Sequence, residues 1–300
     1  MAKFVPEGTH TAIVTPMRDD AARSIDVPAL QALVEHQIAG GIDGLVACGT
    51  TGEASTLEED DYVLVVNTVV RQVAGRVPVI AGVGSNSTAK TIHTTRLANG
   101  LGIDGVLVVT PYYNKPTQQG MVAHYRAVAD ASTTPVVLYN VPGRTSINLL
   151  PAAVAELAQH PNIVALKEAA GSLEQIQETL RLTDFRFAVL SGEDALCVPT
   201  YAIGGRGVIS VVSNVAPALT AQLWRDHRDG RSDAAARGQV ALLPLIRALF
   251  SEPNPQPCKM AMHLLGLMAP VARLPLLTGQ EATRLVLQRE LTALGLLPRM

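Results

Sequence analysis

The run IVALKEA, residues Ile163–Ala169, joins an apolar strand to a charged amine, and the fold and chemistry of the chain both depend on it. In the alternation of a β-strand, Lys167 shares a face with Ile163 and Ala165. An amine on an apolar face either reaches water or loses part of its hydration, and in the second case it becomes nucleophilic. A Lys-Glu pair that ends a strand is usually a solvated edge, so this run alone makes Lys167 only a candidate for an imine-forming lysine.

Seven further apolar runs resemble this one along the first three quarters of the chain. Most are rich in Val, Ile or Leu and alternate little, which is typical of parallel strands buried on both faces. Eight such runs separated by helical segments predict an α/β fold, a (β/α)8 TIM barrel, with a doubly wound sheet as the structural alternative. The predicted strands are residues 11–17, 44–49, 78–83, 105–111, 135–142, 163–169, 187–194 and 207–213.

Beyond residue 230 the strand-like runs stop and helical periodicity begins. The sequence therefore predicts a catalytic barrel over residues 1–230 and a small C-terminal helical region over residues 231–300, which packs against the barrel or a partner subunit. The predicted C-terminal helices run from Ser232 toward Phe250, over Cys258–Leu267 after a proline-rich break, and toward Leu294 with Gly295 as the stop. Helix starts of the capping-box type are predicted at Thr56–Glu59, Ser172–Gln175 and Thr278–Glu281.

The composition is that of a globular protein of enzyme size, with 300 residues, 48% hydrophobic and 17% charged. Because the formal net charge is -2 and the Lys and Arg residues are dispersed, neither nucleic acid nor a membrane surface is an expected partner. Cys48, Cys197 and Cys258 are far apart, which predicts reduced, buried thiols and no disulfide or zinc site. No signal-peptide run and no stretch of about 18 apolar residues occurs, so a cytoplasmic location is expected.

Polar residues at the predicted strand ends form a set suited to carbonyl addition, because strand ends meet at one mouth of a barrel. Hydroxyls and free N–H groups can hold a carboxylate, an arginine can bind one bidentately, and a tyrosine beside a lysine can relay protons. Taken singly, each member has a structural alternative, such as a capped turn, a packed aromatic ring or a loop salt bridge. The set comprises Gly49–Glu53 with Thr50 and Thr51, Tyr112, Tyr113, Tyr139, Arg144, Lys167, Gly192 and Gly204–Ser210.

Other chemistries lack their sequence signatures. The seven histidines show no His-x-x-x-His spacing, so a metal-dependent aldolase has no visible ligand set. The run Gly82–Ser87 lacks the third glycine of a dinucleotide site, and no P-loop is present. We therefore predict catalysis without metal, nucleotide or other cofactor. Pyridoxal phosphate also forms a lysine imine and stays an alternative on Lys167 alone, although the sequence shows no clear phosphate cradle.

Six motifs, in the same order and over nearly the whole chain, closely resemble the dihydrodipicolinate synthases of the dihydrodipicolinate synthase and N-acetylneuraminate lyase family. The resemblance implies a class I aldolase-type lyase that condenses pyruvate with L-aspartate 4-semialdehyde to 4-hydroxy-tetrahydrodipicolinate, in the diaminopimelate route to lysine. The motifs are Gly49–Glu53, Tyr112–Pro116, Tyr139–Thr145, Lys167–Ala169, Gly205–Val211 and Glu252–Pro255.

The resemblance also implies roles for the residues of these motifs. Lys167 would form the imine with pyruvate, Tyr139 would shuttle protons, and Thr50 would link Tyr139 to Tyr113 of a neighbouring subunit. A homotetramer built from two tight dimers, with Tyr113 shared across each tight dimer, is expected on the same ground. The implied substrate-binding groups are Thr51 and the backbone near Ile209 for pyruvate, Arg144 for the semialdehyde carboxylate, and Gly192.

Two other functions stay open at this point. A sister lyase would cleave N-acetylneuraminate or a 2-keto-3-deoxy sugar acid through the same imine. Against it, Arg144 in its Gly-Arg-Thr setting, together with Thr50 and Thr51, suits a short aldehyde that bears a carboxylate. A non-catalytic ligand-binding barrel would have lost Lys167, Tyr139 or Thr50, and the sequence has all three.

One departure from the family concerns feedback by L-lysine, which in sensitive members binds at the dimer interface. Asn86 and Tyr112 fit the sensitive pattern, whereas Glu59 and Tyr62 replace histidines and Lys90 replaces an acid. A Lys90 ammonium would repel the ammonium of the effector. The resemblance therefore predicts weak or absent inhibition by lysine.

Overall fold

Eight short strands close into a barrel in the computed structural model, which describes residues 4–298. Neighbours in the barrel are neighbours in the chain, and every pairing is parallel, including β8 with β1. The (β/α)8 barrel predicted from the sequence is confirmed. The strands are β1 Gly8–Ala12, β2 Gly44–Ala47, β3 Val79–Gly82, β4 Gly105–Val109, β5 Val136–Asn140, β6 Ile163–Glu168, β7 Ala188–Ser191 and β8 Gly207–Ser210.

The helices of residues 4–298 surround the barrel and continue past it at the C-terminal end. None of these helices is long and apolar enough to cross a membrane. They are α1 Val27–Ala39, α2 Glu59–Val73, α3 Thr88–Asn99, α4 Gln118–Ala131, α5 Pro142–Thr145, α6 Pro151–Leu157, α7 Leu173–Leu182, α8 Cys197–Ala202, α9 Pro217–Arg228, α10 Ser232–Leu249, α11 Gln256–Leu264 and α12 Glu281–Ala293.

Two apolar cores result from the alternation of the strands. A small core inside the barrel includes Val46, Ile80 and Leu107, and a larger core lies between the strands and the helices. The larger core continues without interruption into the C-terminal helices through Leu242 and Leu287. A division of the chain near residue 230 stays a prediction, and apolar packing is continuous across it.

The first strand begins three residues earlier than predicted, at Gly8 instead of Thr11, and ends at Ala12. Its segment GTHTA has no apolar run that marks it as a strand, yet all five residues are buried. After Ala12 the chain leaves the sheet, because the Val14 N–H donates to the Asn214 side chain at 3.0 Å. The barrel closes where β8 passes very near β1: a Cβ on Gly207 would lie 2.1 Å from the Gly8 carbonyl oxygen.

The sequence predicts that Ile163 and Ala165 lie on the same face of β6 as Lys167. This prediction is correct for Ala165 and wrong for Ile163. Ala165 belongs to the interior core, whereas Ile163 packs in the outer core. The cause is a register shift opposite Val136 and Val137, where β5 pairs first with Ile163 and next with Ala165. Such an irregularity restarts the alternation, so only the last part of β6 presents Lys167 and Ala165 to one side.

Of the three predicted capping boxes, the structure retains part of one. The Ser172 hydroxyl caps α7 by accepting from the Gln175 N–H at 3.1 Å, but the Gln175 side chain turns elsewhere. The Thr56 hydroxyl instead donates to the Glu53 carbonyl, so α2 is capped by Glu58. Thr278 does not cap the last helix, whose N-cap residue is Gln280 and has no capping hydrogen bond from its side chain.

The start of the first C-terminal helix and the end of the last one agree with the prediction, whereas the bounds of the middle helix do not. The start of α10 at Ser232 is as predicted, and the chain turns at Gly295 after α12 with a φ of 72°. The middle helix, α11, starts at Gln256 and ends at Leu264, earlier at both ends than predicted. A proline in its first turn is compatible with a helix start, which explains why the proline-rich break reaches less far than expected.

Candidate active site

Lys167 lies on β6 beside Tyr139 of β5, at the C-terminal ends of the strands. The two residues are register partners, and the Lys167 Nζ sits 4.2 Å from the centroid of the Tyr139 ring. Lys167 is 5% exposed. An ammonium over an aromatic face is attracted by the ring quadrupole, and this attraction strengthens where water is excluded. The amine is thus held inside the barrel and against a phenol.

Gly192, which follows β7, leaves the room that the Lys167 side chain occupies. A Cβ at this position would lie 3.1 Å from the Lys167 Cε and 2.7 Å from the Ala169 Cβ. The Gly192 N–H donates to the Glu168 carbonyl oxygen at 2.7 Å, which fixes the approach of the two strand ends. Any side chain at residue 192 would therefore displace the lysine.

A cavity of about 520 Å³ opens at this end of the barrel and brings three of the predicted residues together, Thr50, Tyr139 and Arg144. It extends outward to four of the residues predicted to govern feedback, Glu59, Tyr62, Lys90 and Tyr112. Its size is that of a small-molecule site. The described residues that line it include Tyr112. The other predicted site residues do not line it: Tyr113, Lys167, Thr51, Gly192 and Ile209.

The turn Gly49–Glu53 after β2 is held by a dense set of hydrogen bonds. The Glu53 N–H donates to the Thr50 carbonyl at 3.1 Å, and the Thr15 hydroxyl donates to the Gly52 carbonyl at 2.8 Å. The buried Thr51 Oγ1 accepts from the Asn254 side-chain amide at 2.9 Å. Because Thr51 accepts this bond, its own hydroxyl hydrogen is free to donate to a carboxylate.

Arg144 lies at the entrance of the cavity, on the short helix α5 that follows β5. Its Nη2 donates to the Asn254 carbonyl oxygen at 3.4 Å. The residue is exposed, so the rest of the guanidinium is available to a carboxylate that enters from solvent.

Carboxyl groups surround the strand end that carries Lys167. Burial raises the pKa of Glu168, while hydrogen bonds from Gln175 and Asn140 lower it. Burial also raises the pKa of Glu193 and of Asp194, and the charge of Lys167 opposes both shifts. These carboxyl groups favour positive charge at an iminium formed on Lys167.

Ile209 lies on β8 in the interior core, together with Tyr139. The chain just after it is fixed by Asp194, whose Oδ2 accepts from the N–H groups of Val211 at 2.9 Å and Val212 at 3.0 Å. Backbone groups near Ile209 are thereby pre-oriented at the mouth.

Sequence reasoning missed two residues of the site, Asn254 and Lys259. The proline-rich segment around Asn254 was interpreted as a helix break and as part of a family motif, without a role in the site, although its amide contacts Thr51 and its carbonyl contacts Arg144. Lys259 is fully buried in the apolar helix α11 and pairs with Glu53. A charged residue in an otherwise apolar helix was the available signal, because lysine is almost never fully buried without a partner.

Within residues 4–298, no group of three or more His, Cys, Asp or Glu side chains is arranged to hold a metal ion. The three cysteines are buried and free, as predicted. Burial raises the pKa of all three thiols, which makes them poor nucleophiles.

Comparison with known proteins gives a consistent result over almost the whole chain. Residues 5–294 match the model of the Dihydrodipicolinate synthetase family. A 4-hydroxy-tetrahydrodipicolinate synthase of Pelobacter propionicus is 48% identical over 97% of this chain and 99% of its own length. The crystal structure of the dihydrodipicolinate synthase from Thermotoga maritima is similar with a TM-score of 0.95 and 41% identity, covering 98% of this chain and 100% of its own. A monomeric dihydrodipicolinate synthase variant also gives a TM-score of 0.95, with 42% identity and 97% of each chain covered.

Proposed function

Because the chain belongs to the dihydrodipicolinate synthetase family, we propose that it condenses pyruvate with L-aspartate 4-semialdehyde to give 4-hydroxy-tetrahydrodipicolinate, in the diaminopimelate route to lysine. The observation that carries this proposal is the position of Lys167, buried against Tyr139, whose side chain lines a cavity together with Thr50 and Arg144. The activity is that of a lyase of the class I aldolase type, and it needs no cofactor.

The reaction begins when the neutral Lys167 Nζ attacks C2 of pyruvate. Loss of one water gives the imine, and loss of a proton from C3 gives the enamine. Tyr139 and Thr50 lie where they can carry these protons, since both border the same cavity. Thr51 and the backbone near Ile209 hold the pyruvate carboxylate.

The enamine carbon then attacks the aldehyde of the second substrate, whose carboxylate Arg144 binds at the entrance. The new bond links C3 of pyruvate to the former aldehyde carbon, which becomes the hydroxyl-bearing carbon. The amino group of the second substrate next attacks the imine carbon and releases Lys167. One water is lost in total, and the product keeps the C=N bond in its ring.

Tyr113 is proposed to act in the site of a neighbouring subunit. Its side chain is 88% exposed, and its backbone has a positive φ of 74°, a conformation that costs energy for a bulky residue. An exposed aromatic ring held in such a conformation fits insertion into a partner. A homotetramer built from two tight dimers would complete the relay of Thr50, Tyr139 and Tyr113. We also propose a cytoplasmic location, which is consistent with buried cysteines that form no disulfide.

The proposal is tested by incubating the protein with pyruvate, reducing with borohydride and mapping the modified residue by mass spectrometry. A pyruvate-derived adduct on Lys167 is expected, and a sample reduced without pyruvate is the control. An unmodified Lys167 would contradict the mechanism. Turnover of aspartate semialdehyde, compared with cleavage of N-acetylneuraminate, then separates the proposed reaction from that of a sister lyase.

A further inference from the structure

A buried ion pair connects the C-terminal helical region to the turn Gly49–Glu53. The Lys259 ammonium on α11 contacts a carboxylate oxygen of Glu53 and donates to the Val271 carbonyl oxygen at 2.9 Å. Lys259 is 0% exposed and Glu53 is 3% exposed. Burial lowers the pKa of Lys259, and the Glu53 carboxylate opposes this shift. The pair is far from Lys167 in the chain, and the imine chemistry does not use it.

Glu53 has a backbone conformation that needs support. Its φ is 57°, in the left-handed region, which costs free energy for a residue other than glycine. Its second carboxylate oxygen accepts from the Arg273 N–H at 3.0 Å. The side chain of Glu53 is therefore held from two sides by the C-terminal region, and this fixes the end of the turn that carries Thr50 and Thr51.

Asn254 holds the middle of the same turn. Its amide donates to the Thr51 Oγ1 at 2.9 Å, and its carbonyl accepts from Arg144 at 3.4 Å. One residue thus connects the group that would hold pyruvate to the group that would hold the semialdehyde. Asn254 is 5% exposed and its bond to Thr51 is buried, so water does not compete for that bond.

We propose that Lys259, acting through Glu53, and Asn254, acting on Thr51, are positioning residues that set the geometry of the carboxylate-binding turn and hence the affinity for pyruvate. The inference rests on the proposed function. Stability alone does not require the pair, because replacing a buried ion pair by apolar side chains is often neutral or stabilising. A directional, charged hydrogen bond specifies where the turn lies, and an apolar contact would let it shift.

The test compares the double variant Glu53→Gln/Lys259→Met with the unchanged protein. The substitutions remove both charges, keep the side-chain lengths and leave no stranded ion. The readout is the labelling of Lys167 by pyruvate and borohydride, measured against pyruvate concentration. We expect the half-saturating concentration to rise about ten-fold, which is the effect of one misplaced hydrogen bond to a charged group. Labelling at saturating pyruvate should stay complete, and the melting temperature should change by only a few degrees.

Thr11→Val is the matched control for general destabilisation. It removes a buried hydrogen bond of 2.7 Å to Gln37, on the outer side of β1 and away from the turn. We expect a lower melting temperature and an unchanged half-saturating concentration. If the double variant stays within two-fold of the unchanged protein, the ion pair is merely structural and the inference is wrong.

Asn254→Ala is a second test variant that disturbs the structure less, in case the double variant does not fold. It keeps the ion pair and removes only the bond to Thr51, and the same rise of about ten-fold is expected. An unchanged half-saturating concentration in this variant also overturns the inference. If Lys167 of the unchanged protein takes no label, the proposed function and the inference are both wrong. If Lys167 is labelled in the unchanged protein and the half-saturating pyruvate concentration is the same in every variant, the inference is wrong and the proposed function stands.

Discussion

The two ends of the barrel interior each bury a basic side chain, and the surroundings give the two side chains opposite properties. Lys167, at the C-terminal ends of the strands, lies against Tyr139, which lines a cavity. His10, toward the N-terminal ends, is 1% exposed, and neither ring nitrogen has a hydrogen-bond partner of normal geometry among residues 4–298. Its ring fills the space left by Gly44, where a Cβ would approach the His10 Cδ2 to 2.4 Å.

The difference shows what separates a buried polar group that reacts from one that only packs. Burial lowers the pKa of His10 to about 4, so the ring is neutral near pH 7 and has neither a counter-charge nor access to a ligand. Lys167 has carboxyl groups nearby, a phenol in contact and a cavity within reach. The C-terminal end of this barrel is therefore equipped for chemistry and the opposite end for packing, as in other barrels of this type.

The largest effect expected at the reactive end is that of Lys167→Ala. Because the imine cannot form, kcat/KM should fall by more than about 10³-fold. The free energy of unfolding should change by no more than about 2 kcal/mol, since the substitution also removes a buried charge. Steady-state kinetics and urea unfolding measure the two quantities. The variant Lys90→Met should still form the adduct on Lys167, and loss of the adduct there would contradict the assignment.

A smaller effect is expected from Gly192→Ala, which tests whether the lysine needs its space. The added methyl group would displace the Lys167 Cε, and a displacement on the order of 1 Å lowers kcat/KM by about 10²-fold. Gly100→Ala is the matched control, because there the nearest atom to a Cβ is the Leu97 carbonyl oxygen at 3.4 Å. Equal activity of the two variants would show that Lys167 tolerates movement.

At the packing end, His10 should contribute to the loss of stability in mild acid and leave catalysis alone. Burial also lowers the pKa of His124 to about 4, so His124 should add a similar loss elsewhere in the molecule. The pKa of His10 is about 6.5 in the unfolded chain and about 4 in the folded protein, so the unfolded chain binds the extra proton between these values. Stability is therefore lost as the pH falls below 6.5. From pH 7 to pH 5 the contribution is roughly 2 kcal/mol.

Urea unfolding at the two pH values measures the total loss of stability, and His10→Met should reduce it by the share that His10 contributes. In the control His93→Gln, the loss should persist, because His93 is exposed and its ring pairs with Glu59 on the surface. Persistence of the full loss in His10→Met would show that the barrel end is not the origin of the acid sensitivity.

The smallest effect is expected in the outer part of the cavity, near Lys90. L-lysine at ~1 mM should leave the initial rate almost unchanged, because the Lys90 ammonium repels the effector. Lys90→Glu inverts this charge and is expected to increase inhibition. Strong inhibition of the unchanged protein at submillimolar lysine would contradict the prediction, and would show that the outer cavity communicates with the mouth.

The sequence was informative where structure depends on near neighbours in the chain. Apolar runs predicted the number of strands and the positions of seven of them, and the strand-end rule gathered Thr50, Tyr139 and Arg144 around one cavity. β1 was misplaced because its buried residues are polar, and the register shift in β6 cannot be seen in one strand alone.

Contacts between distant parts of the chain could not be predicted from local sequence patterns. Asn254 meets Thr51 across 203 residues, and Arg273 meets Glu53 across 220. No periodicity or local motif reports such a pairing, because it depends on how the helices after the barrel fold back. The role of Tyr113 likewise depends on a second chain.

These distant contacts have a consequence for the nascent chain. When β8 leaves the ribosome, all eight strands and Lys167 have been made, but Asn254, Lys259 and Arg273 have not. The turn around Thr51 then lacks the partners that hold it in the finished protein. A chain that stops before residue 250 could close its barrel and still bind pyruvate poorly, so the binding site is completed last, after the barrel that carries it.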